Sequence, residues 1–161
     1  MSTIPLSLYV HFPWCIKKCP YCDFNSHELR QELPENAYIN ALVEDLRNER
    51  QGKSQQALTS IFLGGGTPSL FSGEAIEQVL RKIADEFFLN NCEITLEANP
   101  STFDQTNFSG YLAAGVNRLS LGAQSFSIRH LQKLGRVHHA EDILNAFAGA
   151  RSAGFRRINI D

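Results

Sequence analysis

Residues 58–97 read LTSIFLGGGTPSLFSGEAIEQVLRKIADEFFLNNCEITLE. An apolar run, Leu58–Leu63, stops at three glycines. The longer stretch Ser72–Phe88 then carries Ile76, Val79, Leu80 and Ile83 on one helical face, and a second apolar run, Glu93–Glu97, follows. A strand, a helix and a strand in this order make a crossover unit, which joins parallel strands. Working outward, Leu6–Phe12, Arg118–Gly122 and Arg157–Asp161 also read as strands. Pro34–Arg50 has Tyr38, Leu42, Val43 and Leu46 at helical spacing, with Pro34 suited to a first turn. Thr102 and Gln105 form a capping-box pattern opening a helix that closes near Gly115. A short helix is expected around Ile128–Leu134 and another over Ala140–Ala153, closed by Gly154. The fold class is therefore α/β, a mostly parallel sheet with helical crossovers. An internal echo agrees: Ala114-Gly-Val-Asn-Arg-Leu-Ser-Leu121 matches Ala153-Gly-Phe-Arg-Arg-Ile-Asn-Ile160 at an offset of 39 (154 − 115), suiting one helix-and-strand unit.

The chain has 161 residues, 43% of them hydrophobic, enough for one independently folding domain. Fifteen Lys+Arg against seventeen Asp+Glu leave a net charge of −2, which offers no broad basic field, so no nucleic-acid partner is expected from composition. No uncharged apolar run approaches the length of a transmembrane segment, and the N-terminus lacks signal-peptide features. A reducing cytoplasm is expected, where clustered cysteines mean metal or catalysis rather than disulfides. Asp161 ends the fifth strand with nothing after it to cover the sheet, so the chain reads as a piece of something longer.

Three of the four cysteines stand in one loop after the first strand, Cys15-Ile-Lys-Lys-Cys19-Pro-Tyr-Cys22. Three thiolates can hold a [4Fe–4S] cube and leave one iron open to a ligand from outside the protein. Zinc held by three Cys and a His, with His11 or His27 near in sequence, is the competing reading. Lys17 and Lys18 would offset the negative charge of a cluster or stand solvated, and Pro13 and Pro20 stiffen the loop. Cys92 opens an apolar strand and reads as a small core residue.

In parallel βα folds the site lies at the carboxyl ends of the strands. There the sequence puts His11 and the cysteine loop, then Gly64-Gly65-Gly66-Thr67-Pro68, Glu97, Gln124 with Ser125, and Asp161. The glycines would let a ligand approach the backbone, yet they match neither a P-loop nor Gly-x-Gly-x-x-Gly. Together these groups describe a pocket for a small polar ligand, such as a zwitterion bearing a sugar.

The stretch Tyr9-Val-His-Phe-Pro-Trp-Cys15-x3-Cys19-Pro-Tyr21-Cys22 resembles the radical S-adenosylmethionine superfamily, in its oxygen-independent coproporphyrinogen III oxidase-like branch. Gly64-Gly-Gly-Thr-Pro-Ser69, Glu97-Ala-Asn-Pro100, Asn117–Phe126 and Gly135-Arg136 are similar to further motifs of that branch, in the same order along nearly the whole chain. The resemblance implies a partial (β/α)6 barrel, here truncated after its fifth strand, with residues 1–161 as an incomplete core domain. It also implies that Cys15, Cys19 and Cys22 bind three irons of a [4Fe–4S] cluster. The amino and carboxylate groups of S-adenosylmethionine would chelate the fourth. Gly65, Gly66, Thr67, Tyr9, Glu97, Gln124, Arg136 and Asp161 would line that cofactor, and Tyr21 would pack near its adenine. In the family's chemistry a reduced cluster passes an electron to the sulfonium and a 5′-deoxyadenosyl radical abstracts hydrogen.

Two departures direct the reading within the branch. The dehydrogenase carries a further Cys two residues after its third ligand, where this chain has Phe24, and an N-terminal extension before strand one, whereas strand one here is expected to begin near Leu6. Both features look like the branch's heme chaperones. These keep the cluster and cofactor site without the dehydrogenase activity and bind heme for delivery to acceptor hemoproteins, alongside an electron donor for the cluster. The competing expectation is oxidative decarboxylation of coproporphyrinogen III. The alternative for Phe24 is that it fills core space under the loop and says nothing about activity, and His27 is expected either to contact a porphyrin or to stand free on the surface.

Overall fold

Alternation along the strands sorts the sheet into an apolar and a polar face. A computed structural model describes residues 4–50, 56–102 and 105–161. Its strands are β1 (Leu6–Phe12), β2 (Trp14–Cys15), β3 (His27–Glu28), β4 (Leu58–Gly65), β5 (Glu93–Ala98), β6 (Arg118–Leu121) and β7 (Ile158–Ile160). Five of them form one sheet in the order β1-β4-β5-β6-β7, every pair parallel. The crossovers carry α1 (Glu35–Glu49), α2 (Gly73–Glu86), α3 (Gln105–Ala114), and the pair α4 (Ile128–Lys133) and α5 (Ala140–Ala153). This is the expected α/β arrangement.

Ile61, Leu63, Leu96, Leu119 and Leu121 point to the helices and bury with Ile76, Val79, Leu80 and Ile83 of α2, Tyr111 of α3 and Ala146 and Ala150 of α5. The opposite face is polar. In register across it run Phe62 with Thr95, Glu97 with Ser120, and Ser120 with Asn159. Lower on that face Arg157 meets Glu93 at 2.7 Å, and Arg118 donates to Thr95 Oγ1 at 3.2 Å.

The echo in the sequence is a structural repeat. Leu119 pairs with Ile158, so the register offset (158 − 119) equals the sequence offset. Gly115 and Gly154 stand after α3 and α5 with φ of 108° and 110°, left-handed positions that favour glycine. Ser72 caps α2, accepting from Ala75 N at 3.1 Å.

The capping-box expectation at Thr102 is corrected. Thr102 ends a 3₁₀ turn, Pro100–Thr102, and its hydroxyl donates to Asn99 O at 2.8 Å, while α3 begins at Gln105. Phe103 and Asp104, which precede the helix, lie outside the described residues. Strand β4 also runs past Leu63, because Gly64 and Gly65 stay in register with His11 and Phe12 of β1.

Candidate metal and cofactor site

The cysteine loop is laid directly on the end of β4. Gly66 N donates to Phe12 O at 2.6 Å and Thr67 N donates to Trp14 O at 2.7 Å. Strands β2 and β3 tie the loop's two limbs, with His27 N donating to Pro13 O at 2.7 Å and Leu29 N to Cys15 O at 2.8 Å. Aromatic packing holds it from behind: Trp14 meets Tyr38 edge-on at 4.7 Å, and the Tyr38 hydroxyl donates to His11 O at 2.6 Å.

Gly65 and Gly66 line a cleft on one side and on the other lie hard against the end of β1 and the loop that follows it. A Cβ on Gly66 would stand 2.6 Å from Trp14 O and 2.8 Å from Phe12 O, and one on Gly65, at φ +112°, 2.6 Å from the His11 ring. The room a side chain would need is taken by the end of β1 and the loop that follows it. Gly66→Ala should destabilise the chain by about 3 kcal/mol, the upper end of overpacking costs, because main-chain atoms on both sides must move. Urea unfolding measures this, and an unchanged midpoint would show that loop and strand do not require the close approach.

One cleft of about 220 Å³ is lined by Cys15, Cys19, Tyr21 and Cys22 from the loop. Gly65, Gly66, Thr67, Glu97, Gln124, Arg136 and Asp161 line it from the strand ends. Every expected site residue except Tyr9 is therefore brought together. Tyr9 shares the polar face but pairs with Phe62, below the rim; its ring lies over Phe62 and its hydroxyl is 3.0 Å from His11 Nδ1. Alternation puts Tyr9 on the face that carries Glu97; burial raises its hydroxyl, and the Glu97 charge adds to this. Phe24 is 59% exposed at the cleft mouth, which rules out the core-filling reading.

Two carboxylates stand across the cleft. Glu97 Oε2 accepts from Gly65 N at 3.1 Å. Burial pushes its carboxyl above the usual range, and the Asp161 charge adds to this; the Gly65 N–H and His11 act the other way. Asp161 accepts from Ser120 Oγ at 2.8 Å and from Asn159 Nδ2. Gln124, at φ 66°, donates its backbone N–H to Asp161 O at 2.7 Å, so the turn after β6 and the end of β7 form one ledge. Ser120 also lines the cleft and was not among the groups named at the strand ends. The strand alternation that placed Glu97 could have found it.

Opposite them, Arg136 donates to Gly122 O at 2.7 Å and its Nη1 lies 3.5 Å from Cys19 Sγ, while its buried Nε has no partner. Burial raises the Tyr21 hydroxyl, and so does the neighbouring Cys19 thiol. His138, buried behind this wall, donates Nε2 to Ala123 O at 3.0 Å; burial pushes its pKa down, so it stays neutral and supports the turn.

The donor set fits a cluster better than a single ion. Among the described residues no three His, Cys, Asp or Glu side chains gather as closely as one metal requires with bonds near 2.3 Å. A cubane instead takes each thiolate on a different iron. Neither histidine joins the thiols. His11 is held by Asn25 O on one nitrogen and the Tyr9 hydroxyl on the other, and His27 is exposed outside the cleft. The half-buried Glu97 with Asp161 beside it matches a ligand carrying positive charge, and the orphaned Arg136 Nε matches an anionic end.

The model of the radical SAM superfamily matches residues 9–161, and the chain belongs to that superfamily. Its fold and family imply a [4Fe–4S] cluster and S-adenosylmethionine. Among curated proteins, the chain is 49% identical over 98% of its length to the heme chaperone HemW of Haemophilus influenzae, and 46% identical to that of Escherichia coli. It spans 42% of the length of each. Among solved structures, the coproporphyrinogen III oxidase HemN of Escherichia coli, a radical SAM enzyme, superposes with a TM-score of 0.87 at 31% identity; 98% of this chain and 36% of that one are covered. No helix among the described residues is long and apolar enough to cross a membrane.

Proposed function

We propose that residues 1–161 are the radical-SAM core of a heme chaperone. In this reading the chain holds a cluster on Cys15, Cys19 and Cys22 and S-adenosylmethionine across the strand ends, and works in a longer protein that passes heme to acceptor hemoproteins. The observation that carries the reading is a comparison within one organism: 46% identity to the Escherichia coli heme chaperone against 31% to the Escherichia coli oxidase. Phe24 points the same way, since a thiol stands at its place in the dehydrogenase pattern.

The site residues divide the work by charge. The three thiolates bind iron, and Lys17, which also lines the cleft, offsets their charge. Glu97 and Asp161 face the cationic part of S-adenosylmethionine, while Arg136 and the Gln124 ledge face its carboxylate side. Gly65, Gly66 and Thr67 offer backbone next to the cluster loop, Tyr21 covers the adenine, and Tyr9 supports the floor through His11. When bound, cluster and cofactor together supply one-electron chemistry at the sulfonium. An electron donor completes the partner set, and the cytoplasm is the compartment that suits free, unpaired cysteines.

A second reading, oxidative decarboxylation of coproporphyrinogen III, is favoured by the close superposition on the oxidase. Heme titration and transfer to an apo-hemoprotein, run beside a coproporphyrinogen turnover assay with reductant and S-adenosylmethionine, separates the two. The full-length protein is expected to bind and transfer heme and to form no protoporphyrinogen. Robust turnover would reverse the assignment.

A further inference from the structure

We propose that Arg136 is a positioning residue for the cluster: its guanidinium donates a charged N–H···S hydrogen bond to the Cys19 sulfur and raises the cluster's reduction potential. This rests on the cluster reading above and concerns a property separate from cofactor binding. Nη1 lies 3.5 Å from Cys19 Sγ while Nη2 donates to Gly122 O at 2.7 Å. The fork is thus fixed at both ends, between the cysteine loop and the turn after β6.

The backbone around it is clamped as well. Arg136 N donates to Leu131 O at 2.9 Å. Gly135, at φ +67°, is pressed against Pro20, where a Cβ would stand 2.7 Å from the ring Cδ. Two residues on, His138 anchors to Ala123 O at 3.0 Å. An arginine held this firmly does not swing away when the charge of its partner changes. Cys22 meets something weaker, the Ser26 hydroxyl at 3.9 Å. Cys19 is the thiol given a permanent cation.

Reduction adds one electron to the cluster, and part of that charge resides on the thiolate sulfurs. A fixed positive donor at one sulfur stabilises the reduced form more than the oxidised form, so the potential rises. Guanidinium stays charged at every working pH, so the effect persists across the pH range.

The test is a potentiometric titration of the anaerobically reconstituted chain with dithionite as the one-electron reductant. It is followed by electron paramagnetic resonance, without S-adenosylmethionine. Arg136→Met should move the midpoint to more negative potential while about four irons per chain are retained. Arg136→Lys keeps a charge without the fork and should move it less, in the same direction. Arg129→Met removes an exposed arginine of α4 and should leave the midpoint where it was. A parental midpoint in Arg136→Met, or an equal shift in Arg129→Met, overturns the inference and leaves the cluster reading intact. If Arg136→Met takes up no iron, a parental midpoint in Arg136→Lys overturns it instead. A parent chain that assembles no four-iron cluster removes both.

Discussion

Alanine at Cys15, Cys19 or Cys22 is expected to abolish cluster assembly, while Cys92→Ala keeps it whole. Anaerobic reconstitution of the parent should give about four irons and four sulfides per chain, with a broad visible absorption band. The three loop thiols line one cleft, and each supplies an iron with its protein ligand, so losing any one leaves two irons without protein ligands. Cys92 differs in every relevant respect. It is 5% exposed within the hydrophobic core, its sulfur faces Glu93 O at 3.7 Å, and burial raises its thiol away from the thiolate form that metals need. Colourless protein with stoichiometric zinc would overturn the cluster, and loss of iron in Cys92→Ala would overturn the division of roles.

Glu97→Gln should weaken S-adenosylmethionine binding and stabilise the ligand-free chain. Losing a charged partner of the cofactor removes roughly 1.5–3 kcal/mol, or about 10- to 150-fold in Kd by isothermal titration. The stability gain has the opposite sign for a reason visible in the cleft. Burial and the Asp161 charge raise the Glu97 carboxyl above its ordinary 4.5, so the folded chain holds this proton more tightly than the unfolded chain does. Stability from the protonated group is complete below pH 4.5 and is lost as pH rises through the raised value. Glutamine has no such proton. Near neutral pH the variant should therefore unfold at higher urea than the parent, with the advantage vanishing under acid conditions. Equal Kd values would mean that the cofactor does not reach Glu97, and equal midpoints at neutral pH would mean that the carboxylate is solvated.

Much of the architecture could be read directly from the sequence. Apolar runs bounded by turn residues located the five strands of the main sheet, and helical spacing located α1 and α2, since burying one face of a long element imposes a repeat on its sequence. Strand β1 matches its expected bounds, and the 39-residue echo reappeared as the register of β6 on β7. The elements that escaped were short. A two-residue bridge such as Trp14–Cys15 with His27–Glu28 has no period to detect, and the 3₁₀ turn that claimed Thr102 is a local hydrogen-bond choice.

The site divides along the same line. Residue type and position at strand ends were enough to name the cysteine loop, Glu97, Gln124 and Asp161, because a parallel sheet delivers every such end to one rim. Tertiary structure alone decided what each group touches. It placed Phe24 at the mouth of the cleft and Tyr9 against Phe62 and His11, and set the end of β1 and the loop after it hard against Gly65 and Gly66. It also set Arg136 against Cys19, 117 positions apart in the chain. Such contacts depend on register and on the packing of non-neighbouring segments to within an ångström. A linear order of residues carries that distance only after the sheet has brought its ends together.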